Sequence, residues 1–416
     1  MASDSDVKQV FDLIDENAIV DLTRKLVAIP TASFDEGKCA DFLAEHMKAM
    51  GLETTMMTVE HAGGAGKTTR QAVGILRGTG GGKSFMLNGH MDTVPIMSGW
   101  ECDPFKGKFE NGWIWGLGSQ DDKGGLAAAL AGIAALKKAG VKLAGDLYMC
   151  PVAAHKGGGH GTRALIRNGI RTDYAVNIEH SANTIGSVIV GSLVVSIKTT
   201  SPGVFFRFTP EIRKAYYNAI EQQALLMSRF GVSLTALPEG GWLRFKKHPE
   251  LLDFPMLRYD RIHKEHYGRE CELSFIIRTV PGMTLESVRE DVMAVVNACR
   301  KEFPAMDCEV AIPAGGPNDP GLREPSEVPN DHPLVQAIAK GYKQATGEDA
   351  AMGSVERIGN VGDGNVLCSA GIPAVQFGPG DIKLYPEWPA PNERVHLGEL
   401  LTTAKSLMSA AMTLCG

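Results

Sequence analysis

Short apolar runs alternate with segments of helical period along the first part of the chain, and that alternation limits the folds open to it. SFMLN (84–88), DLYMCPVAA (146–154) and DYAVNIE (173–179) are short and mostly apolar, as strands buried on both faces must be. LETTMMTVE (52–60) and AVGILR (72–77) are further strand candidates. Residues 7–28 and 36–50 carry apolar side chains at helical spacing, and Gly51 stands where a helix-closing glycine belongs. GGLAAALAGIAALKKAG (124–140) is a strong helix closed by Gly140. The pattern predicts an α/β fold, a mainly parallel sheet flanked by helices.

From about residue 185 the rhythm changes. SVIVGSLVVSIKTT (187–200), a helix over 210–230, CELSFIIR (271–278), a helix over 284–303 opened by Thr284, and CEVAIPAGG (308–316) form strand, helix, strand, helix, strand. This reads as a small α+β module over 185–314 inserted into a domain made of 1–184 and 315–416. The alternating style then returns with a helix over 332–347, a strand in GIPAVQFGPG (371–380) and a terminal helix from about 396.

With 416 residues the chain exceeds one typical domain. A formal charge of −6 argues against a nucleic-acid or membrane-surface partner, which clustered positive charge would serve. No apolar run reaches the roughly 18 residues of a membrane span. MASDSDVKQV lacks the basic and apolar regions of a secretory signal, and the 8 cysteines include no C-x-x-C pair. A cytoplasmic chain with reduced thiols is expected. Gly82-Lys83-Ser84 and Gly66-Lys67-Thr68 fail as phosphate loops, because Arg77 and His61 stand where the first glycine is required.

Three places could carry chemistry. In Gly89-His90-Met91-Asp92, His90 and Asp92 point the same way from a strand end, where α/β sheets place ligands. Such a pair suits a metal-binding imidazole and its orienting carboxylate, or equally a surface histidine beside an aspartate. Asp121, just ahead of the alanine-rich helix, is either a ligand or a helix cap. Glu179 ends a strand and by itself proves nothing.

Taken together, GHMDTVP (89–95), Trp100 with Asp103-Pro104-Phe105, WGLGSQDDKGG (115–125), RTVPG (278–282), GNVGDGN (359–365) and GIPAVQFGPG resemble the aminoacylase, acetylornithine deacetylase and succinyl-diaminopimelate desuccinylase family of metallopeptidases. The resemblance implies an α/β catalytic domain and an inserted lid domain that often dimerises, so a homo-oligomer is expected. It implies two metal ions bridged by an aspartate. His90, Asp121 and Glu179 match the ligands of the first ion, and Asp92 matches the orienting aspartate.

The ligands of the second ion do not match. The family's Glu-Glu pair, whose first member is the general base, is His155-Lys156 here, and Pro389 stands where a C-terminal histidine is expected. The family's lid histidine is absent from Thr199-Thr200-Ser201-Pro202-Gly203. One divalent transition metal per chain (Mn, Zn, Fe or Co) is therefore expected. Lys156 either fills the second ion's place against Asp121 or turns to solvent, since an ammonium and a cation about 4 Å apart repel by several kcal/mol. His155 stands at the base position, with an ordinary value near 6.5 that suits proton transfer; His160 and His180 are nearby alternatives. Arg278 matches an arginine that meets a substrate carboxylate, or forms a structural ion pair. These departures point to hydrolysis of a different carbon–nitrogen bond in a small molecule. The sequence resembles a branch of the family that acts on an aromatic amine, and that resemblance, not the spacing, implies deamination of a compound such as 5-nitroanthranilate to 5-nitrosalicylate and ammonia. An amidohydrolase or peptidase acting on N-acyl amino acids or dipeptides, and an inactive binding protein, are the alternatives.

Overall fold

The structure, a computed structural model, describes residues 3–61, 66–201, 218–231, 248–251, 256–265, 269–314, 321–354, 361–380 and 391–416. The chain divides into two compact units, 1–189 with 326–416, and 190–325. These borders lie beyond those expected at 184 and 314. The expected strand 187–200 is two strands, Val188–Ile189 and Gly191–Thr200. The first pairs with Ser326–Glu327, which closes the first unit.

The first unit is built on an eight-stranded sheet. Its order is Glu53–Glu60, Thr68–Leu76, Leu147–Val152, Phe85–His90, Tyr174–Asn177, Ala374–Gln376, Ile185–Gly186 and Met352–Gly353. The middle strands, from Leu147–Val152 to Ala374–Gln376, run parallel. Antiparallel pairings flank them. Phe85–His90 is buried along its whole length, as its apolar run predicts. It lies between Leu147–Val152 and Tyr174–Asn177, so the chain passes first to one side of it and then to the other. At such a reversal the carboxyl ends of the strands open into a crevice that binds ligands.

The helices are set by their caps. The periodic segment 7–28 is split into Asp4–Asp12 and Glu16–Val27, because Asp15 caps the second helix by accepting from Asn17 and Ala18 N–H. Gly51, at φ +73°, follows Gly37–Ala49 as expected. Gly124–Lys138 is buried almost all round, which explains its alanine content, and packs against Leu397–Leu414 and Glu16–Val27.

The second unit is an antiparallel sheet of Met256–Glu265, Glu270–Thr279, Gly191–Thr200 and Asp307–Ala311, with Leu322–Arg323 on Gly191–Thr200. Helices Ala219–Phe230 and Leu285–Glu302 belong to it, the latter capped by Thr284 as predicted. The first part of the helix expected over 210–230 lies outside the described residues, as do Pro202, Gly203 and Pro389. Met256–Glu265 carries charged side chains on an edge strand and has no apolar alternation to announce it. No helix among the described residues is long and apolar enough to cross a membrane.

Candidate active site

The carboxyl ends of the parallel strands deliver most of the side chains singled out in the sequence, and Asp121 comes from the segment Ser119–Lys123. His90 is the last residue of Phe85–His90, the 155–156 loop follows Leu147–Val152, and Glu179 follows Tyr174–Asn177. His90, Asp92, Asp121, His155, Glu179 and His180 are all buried there.

Glycines let this cluster close. A Cβ on Gly89 would stand 2.6 Å from Asp122 Oδ2, and one on Gly125 would meet Asp122 Oδ1. The space they leave admits the Asp122 side chain, whose Oδ2 accepts from His90 N–H at 3.2 Å. Burial holds the Asp122 carboxyl well above the usual carboxylate range.

Asp121 is no helix cap: the helix begins at Gly124 without any side-chain cap. Its backbone N–H donates to Glu393 Oε1 at 3.0 Å, and those of Gln120 and Gly118 donate to the same carboxylate at 2.9 and 2.8 Å. Glu393 thus pins the loop that carries Asp121. Burial and the neighbouring Asp121 push the Glu393 carboxyl up to about 7 against its backbone donors. No sequence signal marked Glu393, because its role is to accept bonds from backbone far along the chain.

Asp121 Oδ1 lies 2.8 Å from His90 Nε2, and Oδ2 accepts from Lys156 Nζ at 2.5 Å. Burial opposes ionisation of Asp121, but Lys156, His90 and His180 outweigh it and hold the carboxyl well below its usual range. Burial and Lys156 oppose protonation of His90, yet Asp121 and Glu179 prevail and raise it to about 10.

Asp92 holds the neighbouring loop. Its carboxylate accepts from the backbone N–H of His155 and of Lys156, each at 3.0 Å, and from Ser33 Oγ at 2.5 Å. Glu36 accepts from Ala154 N–H at 2.9 Å, beside the left-handed φ of +51° at Ala154. The His155 ring stacks on His90, 7° from parallel with centroids 4.3 Å apart. Its Nε2 is 3.4 Å from Glu179 Oε1 and its Nδ1 is 3.1 Å from Asp363 Oδ1. Asp363, buried, also accepts from Thr162 Oγ1 at 2.7 Å. His180 Nδ1 stands 3.7 Å from Asp121 Oδ1 and 3.6 Å from Glu179 Oε2. His160 stands apart from these groups, its ring 5.3 Å from Phe34 and 4.9 Å from His61.

Two groups of side chains could hold a metal ion, His90 with His155 and Glu179, and Asp121 with Glu179 and His180. Buried imidazoles and carboxylates suit a divalent transition metal. Glu179 Oε1 is buried without a hydrogen bond, as a ligand oxygen would be before an ion binds. The residues present therefore fit such an ion. Arg278 lies in the second unit on Glu270–Thr279, half-buried; burial, with Arg258 and Arg323 nearby, pushes its guanidinium down to about 10.

Residues 86–413 match the family model described as peptidase family M20/M25/M40. The chain belongs to that family. As an M20 member it is a metal-dependent hydrolase acting on carbon–nitrogen bonds. It is 26% identical over 363 residues, 82% of each chain, to N-formyl-4-amino-5-aminomethyl-2-methylpyrimidine deformylase of Bacillus subtilis. It is 26% identical over 334 residues to acetylornithine deacetylase of Proteus mirabilis, covering 77% of this chain and 80% of that one. The M20 fold itself is shared with the dipeptidase Dug1p of Saccharomyces cerevisiae, at a TM-score of 0.78 and 14% identity over 100% of this chain and 99% of the other.

Proposed function

We propose that this M20 chain hydrolyses an amide-type carbon–nitrogen bond of a small molecule, an N-acyl or N-formyl amine or a dipeptide. The observation that carries this reading is the buried set of His90 and Glu179, at the carboxyl ends of parallel strands, and Asp121, in the segment ahead of the helix Gly124–Lys138, with His155 beside it. Its similarity to a deformylase and a deacetylase supports the same bond type. An ion held there supplies a Lewis acid and a water of lowered pKa, near 7. Asp92 keeps the 155–156 loop in place. Asp363 faces His155 Nδ1 at 3.1 Å, which leaves Nε2 towards the site, where it can carry a proton from water to the departing amine. Lys156 neutralises Asp121 on its other side. Arg278 is the residue proposed to meet a substrate carboxylate.

A second reading, deamination of an aromatic amine such as 5-nitroanthranilate, is favoured by one observation: Lys156 and His155 stand where the resemblance places a second-metal ligand and the general base. None of the similar proteins above is named for such a substrate. The test is turnover by the purified, metal-loaded chain of N-formyl aminopyrimidines, N-acetyl amino acids, dipeptides and 5-nitroanthranilate. Release of an amine from the amides supports the first reading. Ammonia and 5-nitrosalicylate from the last compound alone would replace it with the second. Inertness towards every compound would sink both.

A further inference from the structure

His180 follows Glu179 directly and is buried with it. Its Nδ1 lies 3.7 Å from Asp121 Oδ1 and 3.6 Å from Glu179 Oε2, while His90 Nε2 lies 3.9 Å from Glu179 Oε1. Donors arranged tetrahedrally about 2.1 Å from one ion stand about 3.4 Å from each other. The His180 separations are close to that spacing, and His180 with Asp121 and Glu179 forms one candidate ion site; His90 faces the other Glu179 oxygen, so a turn of that carboxylate brings one oxygen between the two imidazoles. The 2.8 Å approach of His90 to Asp121 is a hydrogen bond that an ion would replace and lengthen.

The competing imidazole, His155, is placed differently. A ring nitrogen offers its lone pair in the plane of the ring. The His90 and His155 planes are stacked 7° from parallel, so one ion cannot lie in both unless a ring turns. The far nitrogen of His155 also lies 3.1 Å from Asp363 Oδ1. Turning it would break that contact.

We propose that His180 is the fourth protein ligand of a single ion held with His90, Asp121 and Glu179, and that His155 stays outside the coordination shell. The inference rests on the reading of this cluster as a metal-dependent hydrolytic centre and adds a ligand to it. Its chemical consequence concerns the ion. Four protein donors complete a tetrahedral shell, whereas a catalytic centre needs a further position for water. Ions that accept five or six donors, such as Mn(II), Fe(II) or Co(II), keep that position more readily than zinc does.

The test uses the full chain, stripped with a chelator and titrated with Co(II) against a chromophoric competitor. His180→Ala is expected to bind Co(II) at least about 100-fold more weakly and to shift the visible d–d band, since loss of an outer partner alone costs 10–100-fold. His155→Ala is expected to stay within about threefold of the parent affinity and to keep the band. X-ray absorption on the Co(II)-loaded parent chain, which needs no variant, is expected to count two imidazoles. His180→Ala with parent affinity and band, loss of both in His155→Ala, or a count of one or three imidazoles would overturn the proposal and leave the hydrolase reading intact. A parent chain that takes up no divalent ion would instead remove the hydrolytic reading itself.

Discussion

Lys156→Met keeps the length of the side chain and removes its charge. In the protein Nζ donates to Asp121 Oδ2 at 2.5 Å, while Asp121 Oδ1 faces His90 and the candidate metal position. Two cations that share one carboxylate stand about 4 Å apart. A single charge facing a double one at that distance repels by about 2 kcal/mol in a water-like dielectric and about 8 kcal/mol at an effective dielectric of 20. The lower figure already corresponds to about 30-fold in affinity. The variant should therefore bind its first ion at least about 30-fold more tightly than the parent. The assay is competition with a chromophoric chelator at fixed pH and ionic strength, on protein stripped of metal. Equal or weaker binding by Lys156→Met would refute the idea that the ammonium sits as a fixed counter-charge on Asp121.

Gly89→Ala should destabilise the metal-free chain by about 1–3 kcal/mol, because its Cβ would meet Asp122 Oδ2 at 2.6 Å and the Leu126 side chain at 2.7 Å; parent-like denaturant midpoints would contradict this. Asp363→Asn should lower kcat by at least about 100-fold with KM nearly unchanged, since His155 loses the carboxylate that orients it; a change confined to KM would show that Asp363 acts elsewhere. Glu393 holds its proton more tightly in the folded chain, at about 7 against an ordinary 4.5. Its contribution to stability is thus fully present below pH 4.5 and is lost as the pH rises through 7, about 3 kcal/mol in all. Between about pH 5 and 8 the Tm of metal-free Glu393→Gln should fall less than that of the parent, and parallel curves would exclude Glu393 as the source.

The sheet was legible because parallel strands buried on both faces are mostly apolar, and SFMLN and DYAVNIE carry short apolar cores. The long helix was legible because Gly124–Lys138, buried nearly all round, has to be alanine and leucine. Helix splitting at Asp15 was hidden by apolar periodicity that continues across it, although the capping aspartate was in view. At the site, His90, Asp121 and Glu179 could be found because ligands cluster at strand ends and helix starts. Glu393 could not, and Asp363 was in view only as a member of GNVGDGN, with no role to assign it. Each is a buried carboxylate whose partner lies hundreds of residues away in sequence, Thr162 for one and Gly118 to Asp121 for the other. Their roles follow from the completed fold, not from a local pattern. Met256–Glu265 was missed for the opposite reason: an edge strand need not be apolar at all.

The grip of Glu393 on Gly118, Gln120 and Asp121 spans more than 270 residues of chain. During synthesis the loop bearing Asp121 leaves the ribosome long before residue 393 exists, and the whole 190–325 unit is made in between. The nascent chain can form its strands early, yet it carries a loop without its clasp until almost the end of translation. A site that depends on this loop would therefore be completed only in nearly finished molecules, and a chain released anywhere before Glu393 would carry Asp121 without the carboxylate that fixes its backbone.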